Sequence, residues 1–112
     1  MARRPEVVLL EMISTIDYAT EAVGQLSYEK FEKDQTLRLA AQRALEIISE
    51  ASRHIPEPLR DTETEISWID IRSIGNRIRH EYHHISDELV FQIINEDLDD
   101  LRAALARMLT RL

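Results

Sequence analysis

The stretch Ser67–Ile85 reads SWIDIRSIGNRIRHEYHHI, and its periodicity decides the fold. Side chains two apart share a face of a strand; side chains three and four apart share a face of a helix. Here Ile71, Ile74, Ile78 and Tyr82 recur at steps of three and four. At about 100° per residue these four fall inside roughly 80° of arc. The other side carries Arg72, Asn76, Arg79, His80 and His83 within roughly 100°. The segment therefore reads as an amphipathic helix over about 68–84, one face anchored and the other wet. Ser67, with Asp70 three residues on, resembles a capping box in which Asp replaces the usual Glu.

The same period runs outward in both directions. Pro5 suits a first helical turn and Glu6 its positive end. Leu9, Met12, Ile13, Ile16, Ala19, Val23 and Leu26 follow at helical spacing, placing a first helix at about 5–25. SYEKFEKD (27–34) reads as a turn or a single helical turn. Asp34 is a candidate N-cap for a second helix striped by Leu37, Ala41, Ala44, Ile48, Ala51 and Ile55. That helix must end before Pro56, because the residue preceding proline avoids helical backbone. Residues 56–66 form the longest irregular stretch. Ser86 caps a last helix that begins with Asp87 and Glu88. Its stripe of Val90, Phe91, Ile94, Leu98, Leu101, Leu105 and Met108 extends over about 25 residues, with a kink expected near Asn95–Asp97. Nothing alternates as a strand would. The expectation is all-α: one domain spanning 1–112, folded as an antiparallel four- to five-helix up-and-down bundle.

Composition agrees and excludes several classes. The chain has 112 residues, 44% hydrophobic and 31% charged, with 2 Gly, 3 Pro and no Cys. There is no disulfide framework and no thiolate metal site. The apolar run after the basic MARRP is broken by Glu11, so neither a secretory segment nor a membrane span is read, and the cytoplasm is the expected location. The net charge of -7 argues against a non-specific nucleic-acid coat. Yet residues 68–84 set Arg72, Arg77 and Arg79 against Asp70 and Glu81, a local +1, with three histidines besides.

Two chemistries compete for these residues. His80-Glu81-Tyr82-His83-His84 spells H-E-x-x-H, which on a helix is the zinc-protease pattern. It lacks a third ligand: Glu96 and Asp100 are conceivable, but the second histidine would sit on a fraying turn, and no strand is present to hold a peptide. No metal and no cofactor is expected. The bland alternative is a solvated face with a few i,i+4 pairs. Against it, Arg, Asn and His share the face without interleaved Lys or Glu, beside Tyr82 and at a helix end. Arginine offers planar donors to phosphate oxygens, and histidine exchanges a proton near neutral pH. Such groups can cleave an RNA phosphodiester without metal: a base takes the 2′-hydroxyl proton, an acid protonates the leaving oxygen, and cations stabilise the crowded phosphorus.

At these residues the sequence resembles the HepT-like branch of the HEPN superfamily of helical ribonuclease toxins. Members carry a Trp and an amphipathic run, then Arg-Asn-x-x-x-His-x-Tyr and an apolar residue; Trp68, Asn76, His80, Tyr82 and Ile85 match. RALEIISEA (43–51) and ELVFQIINEDLDDL (88–101) resemble the flanking helices, so the likeness covers nearly the whole chain. It implies an endoribonuclease toxin acting on RNA as a homodimer with a shared cleft. The implied partner is a minimal nucleotidyltransferase antitoxin that, in part of the family, adenylylates the motif tyrosine, here Tyr82. His80 is then the acid/base; Arg72, Asn76 and Arg79 hold and stabilise phosphate; Arg77 and His83 are accessory. One position departs. The motif arginine falls at 75, where this chain has Gly75. Either Arg72 or Arg79 compensates, or the chain is a nuclease-silent subunit that only binds the nucleotidyltransferase. Elsewhere, Trp68 reads as a core anchor, His54 as a surface residue, and Glu46 and Glu50 as carboxylates that face either the cleft or solvent.

Overall fold

The computed structural model of the protein describes residues 3–81 and 85–112. Every regular element among them is helical. α1 spans Pro5–Val23, α2 Tyr28–Lys33, α3 Gln35–Ser52, α4 Glu57–Arg60, α5 Trp68–Glu81, α6 Asp87–Gln92 and α7 Leu98–Leu109. A π-helical segment, Ile93–Asp97, joins α6 to α7.

The caps form as their chemistry requires. The Asp34 carboxylate accepts from the Leu37 amide at 3.0 Å, and the Ser86 hydroxyl from the Leu89 amide at 3.0 Å. Ser67 donates to the Asp70 carboxylate at 2.8 Å across the first turn of α5. Where a kink is expected, near Asn95–Asp97, the structure has the π-helical segment. There the Asn95 side-chain amide donates to the Phe91 carbonyl at 2.9 Å, beside a wide turn that holds one residue more than α spacing. α3 ends at Ser52, three residues short of the expected boundary, and 53–55 turn ahead of Pro56.

α3 packs between α1 and α5, and α7 closes against α1, giving a helical bundle. Val8, Leu9, Met12, Ile16, Leu45, Ile48, Ile94, Leu98, Leu105 and Met108 fill the core. Trp68, Ile71 and Ile74 pack against it from α5, with Trp68 donating its indole N–H to the Glu63 carbonyl at 3.2 Å. Among the described residues no helix is long and apolar enough to cross a membrane.

Candidate active site

The site begins with how closely α5 lies on α3. Gly75 and Ile78 are the buried residues of α5. The buried Ser49 hydroxyl donates to the Arg72 carbonyl at 2.9 Å and accepts from the Gly75 amide at 3.1 Å. A Cβ at residue 75 would stand 2.4 Å from Ser49 Oγ and 2.8 Å from Ser49 Cβ. Gly75 is therefore a close-approach glycine, required where one backbone meets another helix's side chain. On the helix it falls between the apolar face and Arg79, so a side chain there would point into the seam with α3.

That seam orients the exposed side of α5. Asn76, Arg77, Arg79 and His80 all face outward. The Arg79 side chain folds back one turn: Nη1 lies 3.6 Å from the point where a residue-75 Cβ would sit, and Nη2 donates to Asn76 Oδ1 at 2.5 Å. Long helical side chains lean toward the helix N-terminus, which carries this guanidinium over the glycine. Arg72 leans the same way, but its Nε donates to the Trp68 carbonyl at 3.4 Å, a turn further from His80. The structure thus brings Arg79 and Asn76 together beside His80 and directs Arg72 down the helix. Tyr82 and His83 lie outside the described residues, as does His84 of the H-E-x-x-H pattern. Among the described residues no three His, Asp or Glu converge as metal ligands.

α3 contributes a second layer that the sequence reading undervalued. Glu50 extends toward α5 and meets Arg53 Nε at 3.7 Å, Arg79 Nη1 at 3.9 Å and His54 Nε2 at 3.9 Å. Arg53 in turn donates to the Arg72 carbonyl at 3.3 Å. A surface Glu50 and His54 are the ordinary reading of that stretch. The spacing of Glu50 to Arg53 (i,i+3) and to His54 (i,i+4) is local to α3, but the register of α3 against α5, which adds Arg79, is not. The result is guanidinium donors, an amide and an imidazole on one side of the bundle, able to grip an anion and exchange a proton.

A family model described as Ribonuclease HepT-like matches residues 12–108. The chain belongs to the HepT-like ribonuclease family. It is 26% identical to a candidate RNase of Caldanaerobacter subterraneus subsp. tengcongensis over 109 residues, 97% of each chain. It is 26% identical to a candidate ribonuclease HepT of Thermococcus cleftensis over 108 residues, 96% of this chain and 98% of that one. A candidate RNase of Methanocaldococcus jannaschii is 28% identical over 100 residues, 89% of this chain and 92% of that one. No solved structure matches. Membership of a ribonuclease family implies RNA as the substrate class.

Proposed function

We propose that this chain is a metal-independent endoribonuclease and the toxin of a toxin–antitoxin pair. It would act in the cytoplasm as a homodimer whose α5 helices share a cleft, restrained by a minimal nucleotidyltransferase. The observation that carries the reading is Arg79. The chain lacks arginine at 75, yet the guanidinium of Arg79, the residue next to His80, stands over that position and bonds Asn76. His80 would take the 2′-hydroxyl proton as the oxygen attacks phosphorus. The P–O5′ bond breaks, and the 5′-oxygen receives a proton from His80 or from the same residue of a second copy. A 2′,3′-cyclic phosphate and a 5′-hydroxyl remain. Arg79 and Asn76 would hold the phosphate oxygens through the crowded state, with Arg72 as the outer cation and Arg77 and His83 at the margin. Tyr82, two residues beyond His80, is the candidate for adenylylation. Its hydroxyl would displace pyrophosphate from ATP and leave a phosphodiester anion that repels RNA.

The test is cleavage of single-stranded RNA by purified protein in excess EDTA, with His80→Ala in parallel. Cleavage should survive EDTA and fall by about 10²–10⁴-fold in the variant, the usual contribution of a general acid–base. Cleavage that EDTA abolishes would refute metal independence. Gly75 favours a second reading, the nuclease-silent subunit that binds the nucleotidyltransferase. Folded, unmodified protein that cleaves nothing yet binds the nucleotidyltransferase would support that one instead.

A further inference from the structure

Beside the polar face of α5 a pocket of about 280 Å³ opens between α1, α3 and α5. Arg3, Arg43 and Arg79 line it together with the carboxylates Glu11, Glu46 and Glu50, beside Ile47 and Ala51. Arg79 belongs both to this pocket and to the face that carries His80. We propose that the pocket is a subsite for the nucleotide flanking the cleaved bond, that its arginines hold the strand's phosphates, and that Glu50 is the counter-ion an incoming phosphate displaces. The proposal rests on the ribonuclease reading and extends the substrate's path from α5 across α3 toward α1.

Three observations support it. The pocket lies just under the ~300 Å³ at which ligand clefts begin, room for one nucleotide of a single strand and not for a duplex. Its arginines are spoken for unequally. Arg3 pairs closely with Glu11 and Arg43 with Glu46, whereas Arg79 meets Glu50 only at 3.9 Å. A guanidinium has five donors, so a paired arginine still has N–H groups to offer a phosphate. Glu50 stands 3.7–3.9 Å from Arg53, Arg79 and His54, beyond hydrogen-bonding distance of all three. A carboxylate held that loosely marks an anion position without filling it. A phosphate that accepts short, charge-assisted bonds from the same guanidiniums would replace it.

The opposite groove makes the contrast. A cavity of about 320 Å³ between α3, α5 and α7 carries Glu65, Asp70, Asp97 and Asp100 at its rim, over Leu45 and Ile71. Among the described residues no cation lines it, so a polyanion is repelled there more than on the Arg3–Arg43–Arg79 side, where arginines stand beside the carboxylates.

The experiment is binding of a short fluorescein-labelled single-stranded RNA to the full chain carrying His80→Ala, across a range of salt. Adding Arg43→Ala should weaken binding by about 3–10-fold and lower the salt slope by about 0.7–1, one lost phosphate contact. Adding Glu50→Gln should tighten binding several-fold, a gain that misfolding cannot mimic. Unchanged affinity and slope with Arg43→Ala, or no gain with Glu50→Gln, would overturn the subsite. Cleavage plays no part in this reading. A chain that binds RNA through Arg43 yet never cleaves it would refute the nuclease proposal and reduce the subsite to a phosphate-binding site for single-stranded RNA.

Discussion

Two carboxylates in this molecule are surrounded by arginines, and they behave oppositely. Glu63 lies in the turn ahead of α5, its side chain 6% exposed. Arg107 Nη2 reaches its Oε1 at 2.6 Å, Arg107 Nε reaches both oxygens at 3.1 and 3.2 Å, and Arg111 closes on Oε2. These bonds hold its carboxyl down to about 2. Glu50 lies on α3, 55% exposed, and among the described residues its cations stand no nearer than 3.7 Å. The ingredients are the same and the geometry divides their roles. Glu63 clamps the turn before α5 to α7, and its carbonyl also receives the Trp68 indole N–H, so the start of α5 is fixed twice. Glu50 sits where α5 presents its polar face, and a site that must admit an anion needs a counter-ion that leaves easily. One region holds the helix still so that the other can exchange partners.

The largest blow to that division comes at the seam that both regions depend on. Gly75→Ala gains about 1 kcal/mol of helix propensity. It also drives a Cβ to 2.4 Å from Ser49 Oγ, and Ser49 is buried and bonded to α5 on both sides. Overpacking of this kind costs about 1–3 kcal/mol and outweighs the gain. Chemical denaturation should show a net loss, larger for Gly75→Arg, and Ser49→Gly combined with Gly75→Ala should recover most of it. A stabilised Gly75→Ala would show that α5 is not pressed on α3, and the placement of Arg79 would fall with it. For the same reason, restoring the family's arginine at 75 disturbs packing before it can report on catalysis.

Gly75 also shows where the sequence was legible and where it was not. The long helices, the Asp34 and Ser86 caps and the break at Ile93–Asp97 follow from spacing within one segment, and local physics suffices for them, whereas the single turn of α4 lies inside the stretch 56–66 that reads as irregular. The polar face of α5 is equally local, so Asn76, Arg79 and His80 could be grouped before any coordinate was known. Read alone, Gly75 is an arginine missing from a motif; against Ser49, 26 positions earlier, it is the residue that lets two helices touch. The Glu63 clamp spans 44 and 48 positions and begins in a stretch that carries no periodicity to read. Glu50 and Arg53 stand at i,i+3 spacing at the end of one helix, but nothing in α3 itself reveals that Arg79 completes them. The two candidates at the end of the motif, Tyr82 and His83, lie outside the described residues.

The clamp makes the next prediction, a dependence on acid. The Glu63 carboxyl titrates at about 2 in the folded chain and near its ordinary value of 4.5 once unfolded. A depressed carboxylate stabilises the fold fully above about pH 4.5, and that contribution is lost as pH falls toward about 2. Glu63→Gln should therefore lower the melting temperature by several degrees at neutral pH. Followed by circular dichroism, the two curves should converge between pH 4.5 and 2. Curves that stay parallel down to pH 2 would mean that Arg107 and Arg111 do not anchor the turn through this carboxylate.

The smallest effect falls on the other carboxylate, and its smallness is the point. Glu50→Gln should change unfolding free energy by less than ~0.5 kcal/mol. Exposed pairs at these distances contribute little, because water and salt screen them. The Arg53 bond to the Arg72 carbonyl does not involve Glu50 and stays in place. If Glu50→Gln instead melted as early as Glu63→Gln, the cluster on α3 would be a second clamp, held for the sake of the fold. A phosphate could then enter only by weakening the seam between α3 and α5, and Arg79 would be a strut before it was a ligand for RNA. If stability is untouched, Glu50 is free to be exchanged, and the guanidiniums around it remain available to an anion.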